Sequence, residues 1–497
     1  MKIILCLLLL LSNYLNKWDL NAAHPEPFET ATTSLPQGER RHDLSGVALA
    51  KSEGHERTPK NKKSSNVHKE EVITTSNSGI TSFSISGANH QHSKAKTLML
   101  MVGEHEQLQS LAQVIQFDVE FSDQIDMKMA KSKAVPDEKQ LAALGKEGYT
   151  LVLTLEQKKS IGSGLTLDIN LKEPGSNQSF YDKVYACSDA SIIHQGHVIA
   201  DELVPVLTGE KGPMLSTLAY CKQITNNYKV VCVSDYACRL EKPVVTAPTI
   251  NVAPAWHSKA NGLCYSQFTR TNSRLMYLDL ASKKHKVVCS YDGLNMQPSF
   301  SQDGSRAALC LSSSGNSEIY MYDLALCKKV GKRVFTQLTQ NKGSNVSPCL
   351  LANDDLIFCS DFQTGSPQIY YRNAKTHTVK RLTNGKGYCA APAHCPISNK
   401  IAYTRYVNGT FQLFTLSLKD KHAKEQQLTF NAGDKLEPTW SACGKYLTFT
   451  YANLNKKSKK RTNQIAVLNT QSNIVRILTD SPEPKSFPTW TDRSLYI

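Results

Sequence analysis

Six times in the C-terminal half of the chain a proline is followed, two residues later, by a bulky side chain. The pairs are Pro254/Trp256, Pro298/Phe300, Pro348/Leu350, Pro392/His394, Pro438/Trp440 and Pro488/Trp490. Successive prolines lie 44, 50, 44, 46 and 50 residues apart. A fixed period of that size marks a repeat architecture, and it accommodates four short strands per unit. Each unit continues alike. A turn such as "SQDG" or "SACG" leads into an apolar strand, where Gly304 or Gly444 supplies backbone freedom. A second turn and strand follow, as in Glu318-Ile319-Tyr320, and a further strand ends in Leu-Thr, as at Leu338-Thr339 and Leu428-Thr429. The stretch 216–248 has the later strands without a leading Pro-x-Trp, while Pro488-Thr-Trp490 stands without them. Joining the two closes a ring and removes a free sheet edge. The fold predicted for 213–497 is a six-bladed β-propeller, which makes the protein mainly β.

Upstream, residues 94–212 read as a small α/β domain. "TLMLMVG" is a short buried strand, and Leu108, Leu111, Ala112 and Ile115 recur at helical spacing. Pro136-Asp137 opens a second helix that ends near Gly145 or Gly148. "GLTLDINLK" alternates strictly, as a half-exposed strand does. A long amphipathic helix then starts at a cap on Ser188 or Asp189 and stops at Gly209. Residues 24–93 contain little apolar content and read as a disordered polar arm. At the start, Lys2 precedes the apolar run Ile3–Leu11, which fits a signal peptide over 1–23 and is too short to span a bilayer. No later run is long enough to span, so the mature chain is expected to have no transmembrane segment.

The formal net charge of +15 raises nucleic acid, membrane and polyanionic surfaces as partners. No nucleic-acid-binding motif accompanies it, so no nucleic acid is expected. A basic run, Lys456 to Arg461, falls in a loop. Of 14 cysteines, 13 follow the signal peptide. Some disulfides are plausible in an exported chain, with pairing open. Cys264, Cys310 and Cys359 hold equivalent strand positions and read as small buried hydrophobes. Cys389, His394 and Cys395 match no zinc spacing, and no metal or cofactor is expected. No nucleophile elbow, metalloprotease helix or phosphate loop occurs, so no catalytic residue is assigned and the chain reads as a non-enzyme. Trp256, Trp440 and Trp490 share one repeat position and are expected to pack between blades. Asp303 in "SQDG" reads as a turn residue.

Three stretches carry a resemblance. They are "ADELVPVLTGEKGPMLSTLAY", "VCVSDYACR" and the repeated Pro-x-Trp-Ser-x-Asp-Gly pattern, nearest in "PSFSQDG" and "PTWSACG". Over residues 94–497 the chain resembles the TolB family of periplasmic propeller proteins of the Tol–Pal cell-envelope system. Ala237-Cys238 stand where that family has Asp-Gly, and the polar arm replaces its short N-terminal segment. The resemblance implies a non-enzymatic periplasmic protein. It would bind a Pal-like peptidoglycan-associated lipoprotein through one propeller face and a TolA-like inner-membrane protein through its N-terminus. It would support outer-membrane integrity and constriction during division. The loops entering the propeller face just before each motif proline are the expected partner contacts: Leu294, Asn295, Gln297, Asn345, Ser347, Lys435 and Glu437. The alternatives are a propeller accessory of a peptidase-type enzyme and a glycan-binding surface protein.

Overall fold

The computed structural model describes residues 71–75, 81–85, 94–158, 164–176, 178–187, 192–259, 261–385, 387–420, 422–454 and 461–494. The signal-peptide segment, most of the basic run at 456–461 and the cap expected at Ser188 or Asp189 lie outside these residues. Two short strands, β1 (Glu71–Thr75) and β2 (Thr81–Ile85), form a hairpin in the stretch expected to be disordered. β2 pairs antiparallel with a later strand, Ile474–Ile477. The reason lies in both partners. "EVITT" and "TSFSI" are β-branched islands in a polar background, and an outer sheet edge presents unpaired N–H and C=O groups.

The α/β domain runs β3 (Ala95–Val102), α1 (Glu106–Glu120), β4 (Ile125–Ser132), α2 (Glu138–Lys146), β5 (Leu151–Lys158), β6 (Leu165–Lys172), β7 (Ser179–Cys187) and α3 (Ile192–Thr208). Its sheet has the order β4-β3-β5-β6-β7. β3 is parallel to both neighbours, and β6 and β7 are antiparallel. The strict alternation of β6 buries Leu165, Leu167, Ile169 and Leu171 and leaves the residues between them half-exposed. Those four side chains meet α1 and α3 in the main core, while Leu141 of α2 covers Leu98, Leu100 and Val152 on the opposite face. Gly196 lets α3 lie directly against α1: a Cβ there would come within 2.6 Å of Val114. Asp137 caps α2 in a reciprocal pair with Gln140, as its position before the helix predicts. Gly209 ends α3 at φ 75°, and its N–H donates to Pro205 O at 2.8 Å.

The propeller opens with β8 (Thr217–Thr225), β9 (Tyr228–Asp235) and β10 (Lys242–Val245). Next come β11–β14 (Ile250–Trp256, Gly262–Phe268, Ser273–Asp279, Lys284–Cys289). The third sheet has β15–β17 (Asn295–Phe300, Arg306–Leu311, Glu318–Asp323), the short helix α4 (Leu324–Val330) and β18 (Phe335–Gln337). β19–β22 follow (Asn345–Leu350, Leu356–Ser360, Gln368–Arg372, Val379–Arg381), then β23–β26 (Cys389–Cys395, Lys400–Val407, Thr410–Ser417, Gln426–Gln427). β27–β30 are Asp434–Trp440, Tyr446–Leu454, Arg461–Asn469 and Ile474–Ile477. Finally β31 (Lys485–Thr491) returns to pair antiparallel with β8, from Lys485↔Lys222 to Thr491↔Thr217. The strand holding the last motif proline thus completes the unit that lacks one. Among the described residues, six proline-bearing strands line a single central channel.

The α/β domain sits on the sheets at this closure. Tyr446, at the start of β28, donates its hydroxyl to Phe121 O at 3.4 Å, and Asn469, at the end of β29, donates to Asp123 at 2.8 Å. Because β27 runs antiparallel to β28, the loop leading into β27 opens on the other face of the propeller, away from the α/β domain.

Candidate functional site: the channel and its mouth

The residue before each motif proline is left-handed. Ala253, Gln297, Ser347, Ala391, Glu437 and Phe487 have φ between 51° and 56°. None is glycine, so each carries a strain of about 1–3 kcal/mol that its surroundings must hold. At each the ladder to the next strand slips, as between Met296 and Ser299 or Leu436 and Thr439. Such a bulge re-aims side chains. Here all six pre-proline residues line the channel.

Two of these side chains reach round the ring. Gln297 Oε1 accepts the N–H of Ser347 at 3.1 Å. Glu437 Oε2 accepts the N–H of Phe487 at 2.7 Å and the hydroxyl of Thr450 at 2.6 Å. Burial pushes the Glu437 carboxyl up to about 7, against those hydrogen bonds and the charge of Lys229. Burial in turn lowers the Lys229 ammonium.

The tryptophans fasten neighbouring units. Trp256 Nε1 donates to Thr489 O and Trp440 Nε1 to Ala393 O, each at 3.2 Å and each on the preceding proline-bearing strand. Trp490 is buried in the core shared with the α/β domain. Asp303 sits in its turn as expected, accepting from Ser301 Oγ at 2.6 Å.

The sequence-predicted contacts separate into two groups. Asn295, Asn345 and Lys435 all lie three residues before their proline and are fully buried. Asn295 Nδ2 donates to Tyr291 O at 2.7 Å and Gly293 O at 3.2 Å. Asn345 Nδ2 donates to Gly343 O at 3.3 Å and Glu318 Oε2 at 2.9 Å. Lys435 Nζ donates to Ala432 O at 2.9 Å and Gly433 O at 3.0 Å. These three side chains hold the entry loops in shape from beneath and offer no surface to a partner. Gln297, Ser347 and Glu437 are half-buried on the channel wall, and Leu294 is half-buried with its N–H held by Ser312 Oγ at 2.8 Å.

Two aromatic side chains on the same face were not singled out from the sequence. Tyr406 and Phe430 are 45% and 47% exposed. Tyr406 stands edge-on to Phe411 at 5.1 Å, and Phe411 in turn to Tyr388 at 5.7 Å. They lie outside the repeated motif, so only their register on the turn side of β24 and before β27 exposes them.

All thirteen cysteines within the described residues are thiols, so the plausible disulfides are not formed. Cys264, Cys310 and Cys359 are buried on their strands as expected. Cys389 Sγ accepts from Arg405 Nε at 3.2 Å, and His394 Nε2 meets Asn399 Oδ1 at 2.9 Å.

A second buried polar centre joins the domains. His197 of α3 stands between Asp118 of α1, 2.7 Å from Nδ1, and Asp235 of β9, 3.1 Å from Nε2. Tyr236 donates to the other oxygen of Asp118 at 2.5 Å. Burial alone would lower the imidazole value. The Asp118 charge and hydrogen bond, then those of Asp235, outweigh it and raise it to about 10. His197 is therefore an imidazolium donating to both carboxylates.

Fold and site together define a class: a β-propeller protein whose channel is rimmed by left-handed pre-proline residues, with an α/β domain fastened to one face. Within that class the chain is TolB-like. Residues 204–388 match the family model described as the TolB beta propeller domain. The Tol-Pal system protein TolB of Helicobacter pylori (strain ATCC 700392 / 26695) is 23% identical over 246 residues, 48% of this chain and 56% of the relative. The chain thus spans about half the length of that relative. The namesake in Francisella tularensis subsp. mediasiatica (strain FSC147) is 26% identical over 307 residues, 59% of this chain and 69% of the relative. The crystal structure of TolB from Acinetobacter baumannii shares the fold, with a TM-score of 0.67 and 23% identity, over 80% of this chain and 96% of that one. No helix among the described residues is long and apolar enough to cross a membrane.

Proposed function

We propose that this chain is a non-enzymatic periplasmic component of a Tol–Pal-type envelope system that docks a Pal-like lipoprotein on the propeller face opposite its α/β domain. Support comes first from the relatives, which are named Tol-Pal system proteins. The observation that carries the choice of face is the mouth itself. Left-handed residues held by buried clamps make a rigid rim, and Tyr406 and Phe430 stand exposed beside it. Partly exposed aromatics on a preorganised surface are the usual anchors of a protein interface. Gln297, Ser347 and Glu437 supply hydrogen-bonding groups within the rim. In this reading the N-terminal arm is the segment left for a TolA-like inner-membrane partner, and the complex supports outer-membrane integrity and constriction at division.

The test is direct binding of the purified chain to the Pal-like lipoprotein of its own organism, by calorimetry. Tyr406→Ala with Phe430→Ala is expected to weaken binding by at least about tenfold. Melting should be unaltered, since both side chains are exposed. No measurable binding by the unaltered chain would sink the proposal.

A further inference from the structure

One surface remote from the channel has no part in that reading. α4 buries none of its residues. Leu326 and Val330, one turn apart, are 38% and 44% exposed. A seven-residue helix that buries nothing is marginal in water. Here it is held at its ends. Asp323 accepts from Leu326 N at 2.7 Å, Gly331 turns the chain at φ 68°, and Val334 N donates to Cys327 Sγ at 3.1 Å. The surface continues onto the neighbouring sheet. Arg333 Nη2 donates to Val287 O at 2.9 Å, and the ring of Tyr291 stands edge-on to Phe335 at 5.5 Å. Val287 and Tyr291 are themselves 37% and 43% exposed.

Five lysines lie on the elements that carry these four apolar side chains or directly after them. Lys328, Lys329 and Lys332 lie on and just after α4, and Lys284 and Lys286 lie on β14. All five are exposed, and among the described residues none forms an ion pair. Three acids lie on or beside the same elements, Asp279, Asp292 and Asp323, and the Asp279 charge acts on Lys286, so the lysines outnumber the acids five to three.

We propose that this patch, formed by α4 and the outer edge of the preceding sheet, docks on an anionic lipid bilayer. The charge pattern selects the partner. Lysines beside an exposed apolar turn attract acidic headgroups, and their stems allow the ammonium groups to stay at the headgroup level while Leu326 and Val330 enter the acyl boundary. A short helix that gains nothing from the protein interior would gain its apolar contacts there. This proposal does not depend on the docking of a Pal-like lipoprotein.

The test is co-sedimentation of the full chain with vesicles. Binding is expected to phosphatidylglycerol/phosphatidylethanolamine vesicles and not to phosphatidylcholine vesicles, with release as NaCl rises from about 0.1 to 0.5 M. Lys328→Glu, Lys329→Glu and Lys332→Glu together should lower partitioning by at least about 100-fold. Leu326→Ser with Val330→Ser should lower it by about tenfold with melting unchanged. The same charge reversal elsewhere, Lys375→Glu with Lys400→Glu and Lys419→Glu, should leave partitioning within about twofold. Equal loss in both triple variants, equal binding to neutral vesicles, or retention on soluble heparin without vesicle binding would each overturn the proposal.

Discussion

Glu437 accepts the backbone N–H of Phe487 at 2.7 Å, joining the pre-proline residue of one propeller strand to its counterpart on the next. The carboxyl that makes this contact is pushed up to about 7 by burial. The native chain therefore keeps a proton that the unfolded chain, with an ordinary value of 4.5, has already released. Stability is greatest below the unfolded value and falls as pH rises through about 7. Glu437→Gln keeps an oxygen for Phe487 and Thr450 while removing the charge. It is expected to be more stable than the parent by about 1–3 kcal/mol at pH 8 and equal to it near pH 4. Urea titrations at the two pH values check this, and an unchanged difference across pH counts against it.

The interdomain imidazolium has a dependence of the same sign over a higher pH range. Its folded value of about 10 lies above the ordinary 6.5, so its contribution is fully present below pH 6.5 and is lost as pH rises through 10. His197→Ala leaves Asp118 and Asp235 buried without their shared donor. A loss of about 3–5 kcal/mol is expected at pH 7. Chemical denaturation of the variant measures it; a loss under 1 kcal/mol would remove the bridge as a major interdomain contact.

Trp440 is expected to contribute in two separable ways. Trp440→Phe removes the donor to Ala393 O and should cost about 1 kcal/mol. Trp440→Ala also removes the ring and should cost about 3–5 kcal/mol. Equal melting temperatures for the two variants would show that the hydrogen bond, not the packing, fastens the units.

Lys435 serves the loop rather than the surface. Lys435→Met keeps the stem but strips the donors from Ala432 O and Gly433 O. About 2–4 kcal/mol of stability should be lost. Hydrogen exchange should rise first at 431–434, before any change elsewhere. Uniform acceleration across the sheet would argue against a local clamp.

Much of the architecture was legible because the motif prolines carry a period, and a period survives even where Trp is replaced by Phe, Leu or His. The α/β elements were legible for a similar reason: β6 alternates strictly, and Asp137 and Gly209 punctuate helices with side-chain chemistry. The channel rim was not legible. Its left-handed residues are Ala, Gln, Ser, Ala, Glu and Phe, and none of those identities announces a positive φ. Two of the three expected contacts that turned inward did so for a reason the repeats contain. Aligned on the prolines, Asn251, Asn295 and Asn345 recur three residues ahead, and a recurring amide at a loop base signals backbone satisfaction rather than recognition. The β1–β2 hairpin escaped notice because its partner edge lies some 390 residues further along, in β30.

The pairing of β31 with β8 also sets an order of events. Thr217 and Thr491 are neighbours in the finished ring, yet nearly the whole propeller lies between them along the chain. Contacts so distant in sequence form late and slowly. Until the residues around 490 have emerged, the first unit lacks its innermost strand and the Trp256 ring nitrogen lacks Thr489 to bind. During synthesis the molecule is thus an open arc with two raw edges, exposed to proteases and other copies of itself until the last strand closes it.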